Sequence, residues 1–557
     1  MRILRRDIRA LRMLGGALIA GCLAFGSARA GEGAGPVVRA PVGQVQGTLE
    51  GPIVVFKGIP YAAAPVGPLR WQPPRAAPAW IGVRDATEFG PSCFQPEARP
   101  AANAIYYEKL PPMSEDCLSL NVWSPQGAKR APVFVWIHGG ALVGGGSASA
   151  IYDGARMAKK GLVVVSINYR IGPLGFLAHP ELSAQSPEGI SGNYGFLDQI
   201  EALRWIKRNI AAFGGDPDNV TIAGESAGGL SVMYLMTAPP ARGLFHKAVA
   251  QSSYMVSTPE LKEARHGHPS AEAIGLELDS KLGGKGLAAL RAMPPRELVN
   301  KALLAGYLTW GTVDGKILPR QIVDVFDRGE QAKVPLLVGF NSGEIRSLRR
   351  LLTPAPMTAR SYEDKIRAAY GPLADRFLRL YPSNAIDESM LAATRDALYG
   401  WTAERMARNQ TALGAPAYLY LFDHGYPDAD RQGLHAFHAA EIPYVFGTIH
   451  ETAEFWPKIP RTAAEQGLSD AMLAYWTSFA KTGTPMAPGQ PAWPAYEGGR
   501  QAMVFAAGPQ VHRAILGDRY ALMEEVVCRR RAQGDQQWNW NYGVASPPLP
   551  PDRAQCR

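Results

Sequence analysis

The chain has 557 residues, of which 46% are hydrophobic, and its formal net charge is +9 at pH 7. This length suits one large α/β domain with insertions. No run of about 18 apolar residues follows the N-terminal segment, so the sequence predicts no internal membrane span. Residues 1–30 contain six Arg and one Asp, which together carry +5 and leave +4 on the remainder. The remainder has no basic run interleaved with aromatic residues, so we expect no nucleic-acid partner.

The first 30 residues have the pattern of an export signal. Five arginines lie ahead of the charge-free apolar run 13–26, and Ala28-Arg29-Ala30 is an A-x-A cleavage site. We expect cleavage before Gly31 and an exported protein, periplasmic or secreted. Two variants stay open: a lipoprotein box that would leave a lipidated Cys22, and a twin-arginine signal at Arg5-Arg6.

Residues 31–130 are rich in Pro and Gly and contain short apolar runs, which predicts an N-terminal antiparallel hairpin followed by loops. The four cysteines after residue 30 are Cys93, Cys117, Cys528 and Cys556. An even count in an exported chain predicts two disulfides, and three pairings are possible. The simplest pairing closes the two short loops, Cys93–Cys117 and Cys528–Cys556. No Cys-x-x-Cys or His-Glu-x-x-His spacing indicates a metal site.

Strand-like and helix-like segments alternate between about residues 130 and 255. Apolar runs at 133–137, 162–167 and 219–223 are typical of strands buried on both faces of a parallel sheet. Residues 197–213 have the spacing of a helix, and the alternation predicts α/β winding. Residues 258–330 and 345–412 look mostly helical and suit insertions that cap the sheet. We expect one domain over 31–527 and a tail over 528–557, extended after Arg529.

The strongest chemical motif is Gly224-Glu225-Ser226-Ala227-Gly228, a G-x-S-x-G sequence directly after the strand at 219–223. A helix can follow it, and strand, motif and helix together make the nucleophile elbow of an α/β-hydrolase. The glycines permit the sharp turn that exposes the serine hydroxyl, and the helix N-terminus directs N–H groups at the reacting oxygen. Ser226 is therefore the predicted nucleophile. Spacing alone does not choose its base among eight later histidines.

The chain resembles the type-B carboxylesterases, the group that includes cholinesterases, bacterial para-nitrobenzyl esterases and the non-enzymatic neuroligins. The resemblance runs through roughly residues 40–500. It rests on ordered matches: FKGIPYA at 56–62, LRW at 69–71, SEDCLSLNV at 114–122, GNYGFLDQ at 192–199, FGGDP at 213–217 and the segment 220–229. It implies an α/β-hydrolase fold over 31–527, with a mostly parallel sheet flanked by helices.

The resemblance also assigns the partners of Ser226. The family's acid lies in a segment similar to 339–344, which implies Glu344, and its histidine lies in H-x-x-E-x-x-x-V-F-G, which implies His438. His435 is the second candidate for the base. The loop after the strand at 133–137 resembles the oxyanion loop, which implies that the backbone N–H groups of Gly140, Ala141 and Ala227 form the oxyanion hole. No cofactor is implied.

Departures from the cholinesterase pattern concern the substrate. Counting back from Cys117 reaches Tyr107 where cholinesterases have a tryptophan, so Tyr107 is a candidate cation contact. Ser347 and Leu348 replace two aromatic residues after the acid, and three arginines, Arg346, Arg349 and Arg350, surround them. If this segment is helical, Arg346, Arg349 and Arg350 all lie near one face, with Arg350 better placed than Arg349 as a second contact beside Arg346, and the face is suited to an anionic ester. Glu225 is a further candidate substrate contact.

These features predict hydrolysis of a small-molecule carboxylic ester through an acyl-enzyme. The alternative from another class is a non-catalytic binding module of the neuroligin kind. An amidase, carbamate hydrolase or thioesterase would use the same machinery. The acyl and alcohol groups and the oligomeric state do not follow from the sequence.

Overall fold

The computed structural model describes residues 35–97, 104–539, 542–551 and 556. The predicted export signal, with its alternatives at Cys22 and Arg5-Arg6 and its cleavage site before Gly31, lies outside the described residues. Within the described ranges no helix is both long and apolar enough to cross a bilayer. The same ranges contain no group of three or more His, Cys, Asp or Glu residues arranged to hold a metal ion.

Eleven strands of the described chain form one mixed sheet. In chain order they are β1 (Thr48–Glu50), β2 (Ile53–Pro60), β3 (Ser119–Pro125), β4 (Ala131–Ile137), β5 (Val163–Ile167), β6 (Gly215–Glu225), β7 (Lys247–Gln251), β8 (Leu336–Asn341), β9 (Ala417–Phe422), β10 (Gln501–Phe505) and β11 (Pro509–Arg513). Their order across the sheet is β11-β10-β9-β8-β7-β6-β4-β5-β3-β2-β1. Strands β4 to β10 are mutually parallel, and the outer strands pair antiparallel.

Helices cover both faces of this sheet, as the α/β-hydrolase fold requires. Along β4, Val133 and Val135 belong to one hydrophobic cluster, whereas Phe134 and Trp136 belong to another on the opposite face. The longer helices are Tyr194–Asn209, Ala227–Thr237, Ala271–Lys281, Pro295–Leu304, Ala359–Tyr370, Ile386–Arg395, Trp401–Ala412, Ala463–Thr482 and Asp518–Gln533. The predicted strands at 133–137, 162–167 and 219–223 are confirmed as β4, β5 and β6, although β4 begins two residues earlier and β6 extends four residues further at its start and two at its end. An antiparallel hairpin of Val37–Ala40 and Gly43–Gln46 confirms the predicted N-terminal one.

The two insertions are mostly helical, but the segment directly after the proposed acid is not an α-helix. Residues Glu344–Arg346 and Arg349–Leu351 form two separate 3-10 turns. The predicted common helical face of Arg346 and Arg350 is therefore wrong. The first turn ends at Ser347 and the second begins after Leu348, so no continuous helix joins the two arginines.

Both disulfides close the short loops that the sequence favoured, Cys93–Cys117 and Cys528–Cys556. The expectation of an extended tail from Arg529 is wrong in its first residues, because the helix Asp518–Gln533 carries Cys528 in its interior. One side of this helix is buried, with Leu522, Val526 and Arg530 among its buried residues. This packing stabilises the helix beyond Arg529. The helix ends at Gly534, whose backbone is left-handed.

Candidate active site

Ser226 occupies the sharp turn between β6 and the helix Ala227–Thr237. Its φ of 57° and ψ of −122° lie in a sparsely populated region for a side chain with a Cβ. The flanking glycines make this turn possible: a Cβ on Gly224 would lie 2.5 Å from the carbonyl carbon of Gly228, and one on Gly228 would lie 2.0 Å from the oxygen of Ile137. The sheet and the helix hold this strained residue in place. A strained serine between a strand and a helix is the backbone form of a nucleophile elbow.

His438 contacts the carboxylate of Glu344 through its Nδ1 atom. Glu344 is fully buried just after β8. Its second oxygen, Oε1, accepts the backbone N–H of Asn341 at 2.8 Å. One carboxylate oxygen is thus fixed by the backbone while the other orients the imidazole ring. A parallel bridge between Gly343 and Phe437 brings the two loops together.

The other ring nitrogen of His438, Nε2, lies 3.2 Å from Oε1 of Glu225. The structure therefore brings Glu344, His438 and Glu225 into direct contact. Among the contacts of the described residues, no hydrogen bond joins Oγ of Ser226 to His438. Bonds of this kind commonly tighten only when substrate is bound.

Three buried carboxylates surround this imidazole: Glu225, Glu344 and Glu441. Glu441 accepts hydrogen bonds from Gln251 at 2.9 Å and from Asn341 at 2.6 Å. Burial alone would lower the pKa of His438, but the charges of the three carboxylates outweigh it and the pKa is raised. Burial raises the pKa of Glu225, which the positive charge of His438 opposes. In the free site, the pair of Glu225 and His438 therefore keeps a proton at pH values above those at which either group ordinarily loses it.

Two residues that the sequence did not single out as functional hold the backbone of His438. The Tyr106 hydroxyl lies 2.8 Å from both the carbonyl oxygen of His438 and Oγ of Ser347. The N–H of His438 donates to the same Ser347 oxygen at 3.3 Å. Tyr107, which residue counting selected, instead packs against Phe455 with ring centroids 6.2 Å apart. The role of Tyr107 as a substrate contact stays a prediction, and no sequence signal marks Tyr106 as the residue that holds His438.

The loop after β4 lies beside the nucleophile. A Cβ built on Gly139 would lie 3.2 Å from Cβ of Ser226. The next two residues, Gly140 and Ala141, have φ values of 103° and 55°. A Cβ on Gly140 would meet the oxygen of Gly144 at 2.2 Å, so only glycine fits there. The N–H groups of Gly140, Ala141 and Ala227 take part in none of the loop hydrogen bonds formed within the described ranges, which leaves three donors for a ligand oxygen.

Two of the three arginines after the acid are occupied by carboxylates. Arg346 donates to Glu388 at 2.6 Å, and Arg349 binds both oxygens of Asp387 at 3.0 and 2.6 Å. Burial raises the pKa of the Tyr254 hydroxyl, and the positive charge of Arg350 opposes that shift. Tyr254 contacts Tyr399, whose ring centroid is 5.4 Å from that of His438.

Comparisons with known proteins show what the whole chain is similar to. The sequence profile of the carboxylesterase family matches residues 34–522. The chain is 38% identical to the fumonisin B1 esterase of Sphingopyxis macrogoltabida, over 84% of this chain and 86% of that protein. It is 36% identical to the para-nitrobenzyl esterase of Bacillus subtilis, over 83% and 92%. A solved PNB esterase structure superimposes with a TM-score of 0.74 and 32% identity, over 87% of this chain and 99% of that one. A Geobacillus stearothermophilus carboxylesterase gives a TM-score of 0.72 at 36% identity.

Proposed function

The chain belongs to the carboxylesterase family and is a carboxylic ester hydrolase, and we propose that it works through an acyl-enzyme formed on Ser226. The observation that carries this proposal is the His438–Glu344 contact beside a strained serine turn. A neutral serine needs a base that a third group orients. Glu344 supplies that orientation because its other oxygen is fixed by the backbone.

In the proposed first half-reaction, Oγ of Ser226 attacks the ester carbonyl carbon while its proton passes to Nε2 of His438. Glu344 stabilises the resulting imidazolium. The negative charge that develops on the carbonyl oxygen is bound by the N–H groups of Gly140, Ala141 and Ala227. His438 then returns the proton to the alkoxide, and the alcohol leaves.

In the second half-reaction, water attacks the acyl-enzyme carbonyl while His438 accepts its proton. The collapse of the second tetrahedral intermediate breaks the bond to Oγ of Ser226, which regains the proton from His438. The acid product departs as a carboxylate, whose own proton passes to solvent. No cofactor takes part in either half.

Glu225 has a defined part in this scheme. Because its carboxylate faces Nε2 of His438 at 3.2 Å, it stabilises the protonated, resting imidazole. The base must lose that proton before it can accept one from Ser226. Activity should therefore rise with pH through the raised pKa of His438.

The substrate proposal concerns charge. Arg346 is paired with Glu388, and the positive charge of Arg350 opposes the burial that raises the pKa of Tyr254. We propose that Arg350 favours esters that carry a carboxylate near the scissile bond, and that Tyr107 with Phe455 forms an apolar wall at the entrance. One relative's name states that it acts on fumonisin B1. That compound belongs in the panel of test esters, beside matched amides, carbamates and thioesters.

Export is also proposed, with cleavage before Gly31 and the domain boundaries 31–527 and 528–557. The two disulfides support an oxidising compartment.

The test of the mechanism compares Ser226→Ala, His438→Ala and the double variant on one chromogenic ester. Each single change should lower kcat by several orders of magnitude, and the double should lose little more because the residues act as a unit. Retained turnover in Ser226→Ala, or independent and additive losses, would overturn the proposal.

A further inference from the structure

His435 lies three residues before the proposed base, with its ring between two carboxylates. Its Nδ1 is 2.9 Å from Oδ1 of Asp430, and its Nε2 is 3.2 Å from Oδ1 of Asp423. A neutral imidazole carries one N–H, whereas the imidazolium carries two. Both contacts are hydrogen bonds at the same time only in the protonated form.

The space for this arrangement is built into the chain. A Cβ on Gly425 would lie 2.2 Å from Nδ1 of His435 and 2.5 Å from Oδ1 of Asp430, so glycine alone fits beside the ring. The backbone of His435 has a φ of 51°, which costs energy for a non-glycine residue. Asp423 follows β9, and Asp430 lies in the short helix Pro427–Arg431, so the ring joins two separate elements.

The chain between His435 and His438 runs along the loop that carries the acid. The carbonyl of Ala436 accepts the N–H of Gly343 at 2.8 Å, and that of Phe437 accepts the side chain of Asn341 at 2.8 Å. Ser347 and Tyr106 hold the far end of this segment at His438. The His435 ion pairs hold its near end.

We infer that His435, as an imidazolium between Asp423 and Asp430, is a positioning residue that fixes the loop carrying His438. This inference rests on the proposed function only in that His438 is taken as the base. His435 touches none of the reacting groups. Its loss should lower kcat by displacing the base, with little change in KM.

Charged groups on the neighbouring elements determine how the cluster of His435, Asp423 and Asp430 responds to pH. Asp423 and Asp430 favour the cation, and Arg395 acts on Asp423 from the helix Ile386–Arg395. Arg346 approaches the same loop at the carbonyl of Gly433 while paired with Glu388. The hydrogen bond to Asp423 and then that to Asp430 outweigh burial and raise the pKa of His435. The contribution to loop order is therefore complete below the ordinary histidine pKa of about 6.5, and is lost as pH rises through the raised value.

The experiment uses the full chain and compares His435→Asn, which tolerates the positive φ, with His435→Lys, which keeps a charge that does not titrate near neutral pH. His512→Asn, on the exposed edge strand β11, is the matched control. The pKa of His435 is read by NMR on ring-labelled protein, and kcat and KM are measured across pH.

We expect the NMR pKa of His435 to lie above about 6.5. We expect His435→Asn to lower kcat roughly threefold to tenfold at neutral pH, the range of partly exposed charge-assisted bonds. KM should change less than about twofold. His435→Lys should retain kcat at neutral pH and keep it as pH rises through the pKa of His435, where the wild type loses the contribution of the two ion pairs, and His512→Asn should match the wild type.

Equal losses in His435→Asn and His435→Lys, or an NMR pKa at or below about 6.5, would overturn the inference. If His435→Asn does not fold, Asp430→Asn gives the same information, because it should lower both the pKa of His435 and kcat. The NMR titration needs no turnover. It therefore separates failure of this inference from failure of the proposed function, which Ser226→Ala decides.

Discussion

The contact between Glu225 and His438 makes a quantitative prediction about pH dependence. Glu225→Gln removes a buried negative charge 3.2 Å from Nε2 of His438 while keeping the size of the side chain. At an effective dielectric of about 20, two unit charges at this distance attract by about 5 kcal/mol. This figure is an upper limit, because the variant also removes the cost of keeping a second charge buried.

After that offset, we expect the acid limb of kcat/KM to move about 1–3 pH units toward lower pH. The direction follows from the cause: Glu225 stabilises the protonated imidazole, so its loss frees the neutral base at lower pH. Below the wild-type limb, Glu225→Gln should therefore retain a larger share of its maximal rate.

The assay is a kcat/KM profile from pH 5 to 10 on a neutral ester, whose own charge does not change. The matched control is Glu201→Gln, a buried glutamate that pairs with Arg208 at 2.6 Å and with Arg204 at 3.7 Å. The control should leave the limb in place. An acid limb that lies at the wild-type pH in Glu225→Gln, or at a higher pH, would refute the electrostatic reasoning.

Three further predictions concern the substrate, the tail and export. Arg350→Ala should reduce the preference for an anionic half-ester over its neutral methyl diester roughly tenfold to a hundredfold, whereas Arg346→Ala should change it less. Equal ratios of kcat/KM for the two esters in the wild type and in both variants would exclude Arg350 as a substrate contact. Replacing Cys528 and Cys556 with Ser should lower the free energy of unfolding by about 3–4 kcal/mol in denaturant titrations, and an unchanged midpoint would contradict this estimate. Mass spectrometry of the mature protein should find Gly31 at its N-terminus, and a lipid-modified cysteine there would exclude the expected cleavage.

The sequence was sufficient for the parts of the molecule that local pattern determines. The buried strands carry continuous apolar runs, and the serine turn needs glycines at fixed offsets, so both can be recognised from neighbouring residues. Glu344 and His438 were a different case. They are 94 positions apart, and only the resemblance to a family connected them to Ser226.

Contacts between distant segments were not predictable in this way. Tyr106 reaches Ser347 and His438 across 241 and 332 positions, and no periodicity encodes such a pairing. Arg346 was expected to face the substrate, yet a carboxylate 42 positions later binds it. These misses have one physical cause, because side-chain partners are set by tertiary packing, which a local pattern does not contain.

The most direct test of the central claim is covalent labelling of the nucleophile. The protein is treated with a phosphonylating serine reagent, activity is followed to completion, and the labelled peptide is mapped by mass spectrometry. We expect one phosphonyl group per chain, on Ser226, and loss of activity in proportion to labelling. A label on another residue, or full activity with Ser226 labelled, would contradict it.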